Sequence, residues 1–187
     1  MEPMYGGLLE AAKQLYAQGA GEPAENAERL MALEGLPMHC PEHHFIVPAA
    51  LLLSAHRVLG SPDETVEKDL KTALARAKAV PGGFCGTCGC CGAAVGTGIF
   101  LNIWQKTTPL SKSGWSLGNR MTAEALQSVA SVEGPRCCKR VTWLALEAAV
   151  EFCRRELSLD LGRCDRPRCG FCGRNRECRG RACPFFP

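Results

Sequence analysis

The chain has 187 residues and a net charge of +3; 46% of its residues are hydrophobic and 13 are cysteine. This much apolar side chain supplies an ordinary core, so the composition excludes a disordered chain and a small scaffold held only by disulfides. No basic stretch followed by an apolar run opens the sequence, so we predict a cytoplasmic protein with reduced thiols. Cysteine clusters in that compartment usually bind metals or carry redox chemistry.

Four helices are predicted before the first cysteine cluster. Apolar residues recur at helical spacing over residues 5–19 and 23–34, which predicts two amphipathic helices separated by glycines. Residues 37–60 continue as a strongly apolar helix, in which Pro48 predicts a kink or a helix start. A charged helix then follows to about Val80. We interpret these elements as the scaffold of a bundle.

A glycine- and cysteine-rich segment follows at residues 83–104. Residues 79–105 carry no charged side chain and are long enough to span a bilayer. Glycines and Pro81 interrupt them, however, so we predict a buried helix and no membrane span. Two further helices are predicted at 122–132 and 141–157. Period-two alternation is almost absent, so the predicted fold class is mostly α, a helical bundle.

The composition changes abruptly after Asp160. Residues 163–187 hold five cysteines and seven arginines against two acidic residues. With so few apolar residues, this stretch is predicted to be held by a metal rather than by a core. We therefore predict a helical domain at residues 1–160 with an internal cysteine site, and a short metal-pinned, cysteine-rich appendage at residues 161–187.

The tail cysteines have spacings that are typical of metal sites. The first three are spaced as in plant-type ferredoxins, and a terminal Cys-Pro pair is typical of bacterial ferredoxins. The last four instead approach the spacing of a zinc knuckle. The predicted cofactor is an iron–sulfur cluster of the 4Fe-4S type, with zinc as the alternative. The predicted tail ligands are Cys164, Cys169, Cys172, Cys178 and Cys183.

A second group of cysteines precedes two predicted helices. On a helix, cysteines three residues apart would share a face, and in a loop a Cys-x2-Cys pair could hold a metal alone. The pair at 137–138 lies at a helix start beside basic residues, which is expected to lower the thiol pKa and favour the thiolate. Glycines nearby leave backbone amides free to approach an anionic cofactor. The predicted ligands of this internal centre are Cys85, Cys88, Cys91, Cys137 and Cys138, and the predicted cofactor-binding residues are Gly86, Gly89 and Gly92.

Three histidines and a lysine are the candidates for acid–base chemistry. On a helix, His39 and His43 would lie one turn apart, and an imidazole can exchange protons near neutral pH. His43 or His44 is predicted to donate a proton or bind the metal. Lys139, beside the cysteine pair, is the third candidate catalytic residue.

A resemblance to a known family rests on five segments. They are PEHHFIVP at 41–48, GGFCG at 82–86, CGAAVG at 91–96, PRCCKR at 135–140 and CPF at 183–185. Together they resemble an uncharacterised cysteine-rich domain family of anaerobic bacteria and archaea, whose members occur alone or fused to radical-SAM or methyltransferase-like domains. The resemblance covers residues 37–187. It implies anaerobic metabolism, an oxygen-sensitive centre, and a radical-SAM or methyltransferase partner.

These patterns predict an iron–sulfur protein that assists redox or sulfur-transfer chemistry. Two alternatives start from the same residues. A zinc-pinned, arginine-rich tail with Phe171 between two cysteines is typical of a module that binds unstacked RNA bases, although the helical part has no basic stripe. Cys85 and Cys88 would form the redox pair of a thiol–disulfide oxidoreductase, although no βαβ pattern surrounds them.

Overall fold

The computed structural model describes residues 4–164 and 167–187. In those residues the chain forms eight α-helices and no β-strand, which confirms the predicted helical class. The helices are α1 (Tyr5–Ala17), α2 (Pro23–Met31), α3 (His43–Leu59), α4 (Asp63–Lys78), α5 (Phe84–Thr87), α6 (Gly92–Trp104), α7 (Trp115–Ala130) and α8 (Cys138–Leu157). Two 3₁₀ turns follow, at Cys172–Arg174 and Gly180–Ala182.

Helices α3 and α6 form the centre of the bundle. α3 is buried without interruption from Phe45 to His56, and α6 from Gly96 to Leu101. A helix that is apolar all round must be covered on every side, and the other long helices pack around this pair. Within the uncharged stretch at residues 79–105, α6 therefore belongs to the protein core, whereas residues 79–90 are half-buried or exposed. None of the helices among the described residues combines the length and the hydropathy that crossing a bilayer requires.

A glycine on α6 allows the two central helices to approach closely. α3 runs from His43 through Pro48, whose ring cannot donate to the carbonyl of His44. A Cβ placed on Gly96 would lie 2.9 Å from Pro48 Cδ and 3.1 Å from that carbonyl oxygen. Neither group can move without shifting the α3 backbone, so the contact requires a residue without a side chain.

We expect Gly96→Ala to lower the free energy of unfolding by about 1–2 kcal/mol. The added methyl group overpacks the contact with α3, and this destabilisation is larger than the stabilisation from the higher helix propensity of alanine. Gly6→Ala in α1 is the matched control, since nothing lies within 4 Å of the added Cβ. This control should be neutral or raise stability by up to about 1 kcal/mol. Urea unfolding measures both variants, and an equal effect at the two positions would contradict the close helix contact.

Two helices begin earlier than the apolar pattern predicts. α7 starts at Trp115 instead of near residue 122, and α8 starts at Cys138 instead of residue 141. His39 lies outside any helix, so it is not one helical turn from His43.

The C-terminal segment, residues 167–187, packs on α8 through aromatic rings. Trp143 of α8 is fully buried, and its ring centroid lies 6.0 Å from that of Phe171 and 5.1 Å from that of Phe185. The amide of Cys169 donates to the carbonyl of Phe185 over 2.7 Å, which joins the two ends of the segment. The segment therefore has an apolar anchor, which the sequence prediction of a metal-pinned appendage did not include.

Candidate functional site

Five cysteines meet where the C-terminal segment joins the start of α8. Their side chains line one narrow cavity of about 20 Å³. Four of them are predicted tail ligands, and the fifth comes from the helical part of the chain. The C-terminal cysteine group consists of Cys137, Cys169, Cys172, Cys178 and Cys183.

Backbone amides point at two of these sulfurs. The amide of Phe171 donates to Cys169 Sγ, and the amide of Gly180 donates to Cys178 Sγ, each over 3.4 Å. In both cases the donor stands at the start of a 3₁₀ turn, two residues after the cysteine. Hydrogen bonds of this kind stabilise a thiolate relative to a thiol, although at Cys169 burial outweighs the hydrogen bond and raises the pKa of the thiol.

Asn175 connects this group to His39. Its Nδ2 donates to Cys137 Sγ over 3.5 Å, and its Oδ1 lies 3.1 Å from His39 Nε2. Since the amide of Cys138 donates to His39 Nδ1, the other ring nitrogen carries the proton and donates to Asn175. Asn175 is not among the predicted site residues. The one feature of the sequence that points to a role for it at the site is its position between two tail cysteines.

Two buried cations stand at the start of α8. Lys139 is 1% exposed, and its Nζ donates to the carbonyl of Met31 over 2.9 Å and lies 4.7 Å from the ring centroid of Phe171. Burial lowers the pKa of Lys139 to about 8. Arg140 is 3% exposed, and its Nη2 donates only to backbone carbonyls. Within residues 4–164 and 167–187 neither cation forms an ion pair, so the site carries uncompensated positive charge.

The sulfurs are gathered but not arranged as a closed coordination shell. Across the described part of the chain, no three His, Cys, Asp or Glu side chains stand close enough together to hold a metal ion.

A larger cavity of about 560 Å³, the helix cavity, lies among α3, α6, α7 and the start of α8. Thiols, imidazoles and glycines line it, together with apolar side chains of α7 and α8 and two arginines. The thiol, imidazole and glycine residues are Cys85, Cys91, Cys138, His43, His44, Gly86, Gly89 and Gly92. The structure thus brings three predicted ligands, two candidate catalytic histidines and all three predicted cofactor-binding glycines to one space.

The adjacent residues Cys137 and Cys138 line different cavities. Cys137 caps α8 in an extended conformation, and Cys138 is its first helical residue. Their side chains therefore leave the chain in different directions, one toward the C-terminal cysteine group and one toward the helix cavity. The predicted internal centre is therefore divided between the two cavities, because Cys137 does not line the cavity that Cys85 and Cys91 line.

The hydrogen bonds of the two histidines in the helix cavity assign their tautomers. Nδ1 of His43 lies 3.2 Å from both the carbonyl oxygen and Sγ of Cys40, and Nδ1 of His44 lies 3.2 Å from the carbonyl of Val80. Since a carbonyl only accepts, and since the Cys40 thiol donates to the carbonyl of Pro37, we assign the proton to Nδ1 and the free lone pair to Nε2 in each ring. Burial lowers the pKa of both rings, that of His43 to about 3. The two imidazoles are therefore neutral at pH 7, able to accept a proton or bind a metal.

Burial also keeps two thiols of this cavity, those of Cys91 and Cys138, protonated. It raises the pKa of Cys138 to about 11, although a hydrogen bond from the Cys40 backbone and the charge of Arg136 act in the opposite direction. The pKa of Cys91 is raised for the same reason. The prediction that the helix start and its basic neighbours favour the thiolate is therefore wrong for Cys138.

Two predicted ligands lie outside both cavities. Cys88 is exposed at the end of α5, and Cys164 lines a separate surface pocket beside Arg154 in the last turn of α8. Asp165 and Arg166, which contribute to the predicted charge of the tail, lie outside the described residues.

Phe171 is not placed as an RNA-binding hypothesis requires. Its ring is 3% exposed, packs on Trp143, and is covered by the charged groups of Lys139 and Arg174. A base cannot stack on this ring while the C-terminal segment is docked.

A family model matches residues 12–186, which is nearly the whole chain. The chain belongs to DUF5714. This is a family of unknown function, so membership assigns no reaction to either cavity. Neither the curated proteins nor the solved structures include a significant match to the chain.

Proposed function

We propose that this DUF5714 protein is a metalloprotein whose C-terminal cysteine group holds an iron–sulfur cluster, and that it assists redox or sulfur-transfer chemistry. The observation that carries the proposal is that five thiols line one cavity, which would have to draw four of them closer together to bind a metal. Cys137 comes from the helical part and the other four from the C-terminal segment, and four thiolates suffice for a 4Fe-4S cluster. Such a centre would tie the segment to α8.

The electrostatics of the site support an anionic centre. Four thiolates around one divalent ion leave a net charge of about −2, and iron–sulfur clusters also carry negative charge. The buried cations Lys139 and Arg140, which have no acidic partner in the described chain, would offset that charge. The amides that face Cys169 and Cys178 would stabilise the thiolates and tune the reduction potential.

The exposure of the site supports exchange of electrons with a partner protein. Cys172 and Cys178 are half-buried, so a centre bound to them would lie close to the surface. The resemblance to domains fused with radical-SAM or methyltransferase-like domains favours such an enzyme as the partner, in an anaerobic cytoplasm. We propose His43 and His44 as the proton-transfer or ligand residues of the helix cavity.

Zinc is the second candidate for the C-terminal cysteine group. The cavity of about 20 Å³ is closer to the size of a single ion than to that of a four-iron cluster. Zn²⁺ also takes four thiolates in structural sites. A zinc centre would hold the C-terminal segment without redox chemistry.

Elemental analysis of anaerobically purified protein tests the proposal. We expect about four iron atoms and about four acid-labile sulfides per chain, with a brown colour. Cys178→Ser should lose at least half of this metal, because its sulfur belongs to the cavity. Zinc in place of iron would support the second candidate.

Cys88→Ser is the matched control. It makes the same chemical change at an exposed cysteine that lines neither cavity, and it should keep the metal content of the wild type. Circular dichroism establishes that both variants are folded. A folded wild-type protein without iron and zinc would contradict the proposal, and so would equal metal loss in the two variants.

A further inference from the structure

The helix cavity has an extended apolar wall. Leu126, Val129, Val132 and Val141 line it, and all four are half-buried, so part of their apolar surface faces the open space. A volume of about 560 Å³ is within the range of small-molecule sites. A ligand that covers this apolar surface removes it from water, and this burial contributes favourable free energy to binding.

The charge in this cavity has one sign. Arg136 and Arg140 line it, and the described residues that line it include no aspartate or glutamate. Arg136 is exposed, whereas Arg140 is buried and its Nε has no hydrogen-bond partner. A buried cation attracts an anion more strongly than an exposed one does, because the surroundings screen it less.

The remaining polar groups do not oppose an anion. His43 is 1% exposed, and its Nε2, which is buried without a hydrogen-bond partner, adds a polar atom but no negative charge. The thiols of Cys85, Cys91 and Cys138 add small, polarisable surface beside it.

We propose that the helix cavity binds a small organic anion with an apolar body, of the class of medium-chain carboxylates. The apolar body lies against the α7 and α8 wall, and the charged group faces Arg136 and Arg140. The proposal goes beyond metal binding, because it needs no metal in this cavity and holds for either metal at the C-terminal cysteine group.

Calorimetric titration of the full-length protein with octanoate and with 1-octanol tests the charge requirement. Octanoate should bind about tenfold more tightly than the uncharged alcohol. Arg136→Gln should weaken octanoate binding about two- to threefold, because Arg140 still faces the carboxylate, and it should leave 1-octanol binding unchanged. Lys112→Gln removes an exposed cation that does not line the cavity, and it should bind octanoate as the wild type does.

Tryptophan substitutions on the apolar wall test the location. Val129→Trp and Ala130→Trp each fill part of the cavity and should lower the affinity for octanoate about tenfold or more. Ala130 is exposed, so this variant keeps the fold even if the first does not. No binding by the wild type, equal binding of the alcohol, or unchanged affinity in a folded tryptophan variant would overturn the proposal. Iron and zinc are measured on the same samples, so octanoate binding without metal would contradict the metalloprotein proposal alone.

Discussion

Phe185→Ala is expected to lower the free energy of unfolding by about 3–4 kcal/mol, whereas Phe186→Ala should cost about 1 kcal/mol or less. The two residues are neighbours with the same side chain. Phe185 is 1% exposed and its ring lies 5.1 Å from that of Trp143, whereas Phe186 is 38% exposed. Truncation of the buried ring removes its transfer free energy and leaves a cavity. Urea unfolding of the two variants measures the difference.

The same pair tests whether the aromatic anchor supports the cysteine group. Phe185 follows Cys183 by two residues, and its carbonyl accepts the hydrogen bond from the amide of Cys169. We therefore expect Phe185→Ala to release its metal at a chelator concentration at which the wild type keeps it. Phe186 lines the cysteine cavity itself, so Phe186→Ala is the control for stability and not for metal retention. Equal stability of the two variants would contradict the anchor, and full metal retention by Phe185→Ala would contradict its link to the centre.

Hydropathy periodicity predicts the part of α7 that buries large side chains and misses its first turns, which pack through glycine. In these turns Gly118 packs against Asn102 of α6, so close that a Cβ on this glycine would overlap the asparagine side chain. A contact made by a glycine adds nothing to an apolar stripe. Leu117 is only partly buried, and the first large side chain that α7 buries fully is that of Met121.

The cysteines of both cavities could be identified from the sequence, but not their partition. Spacing groups Cys169, Cys172, Cys178 and Cys183, because these residues are close in the chain. Cys137 joins them only through the packing of the C-terminal segment on Trp143, which no spacing encodes. The same reason explains why Arg140, which lines both cavities, was not identified as a site residue.

The thiol pKa of Cys138 shows which physical effect dominates at the start of α8. A helix N-terminus stabilises a nearby negative charge by about 0.3–1 kcal/mol, and an exposed arginine adds a screened attraction. Removal of a charge from water costs several kcal/mol. The first two effects can be read from the sequence, whereas the third cannot, because the burial of Cys138 depends on how the folded chain surrounds it.

Acid is expected to destabilise the protein in a window that begins near pH 6.5. His43 has an ordinary pKa of 6.5, which burial lowers to about 3 in the folded protein. Between these values the unfolded chain binds a proton that the folded protein does not, so stability is lost as the pH falls. The protonation of His43 alone should lower the free energy of unfolding by roughly 3–5 kcal/mol between pH 6.5 and the lower end of the window. About 2 kcal/mol of this loss should occur between pH 6.5 and about 5.

His43→Gln isolates this contribution. Glutamine does not titrate, so the slope of unfolding free energy against pH should fall by close to one proton between about pH 5 and 6. The slope should keep its sign, because burial also lowers the pKa values of His44 and His56. Acid release of a bound metal would act equally on both proteins and cancels in the comparison. Identical slopes in the wild type and the variant would mean that His43 is already protonated in the fold, and the free lone pair assigned to its Nε2 would then be wrong.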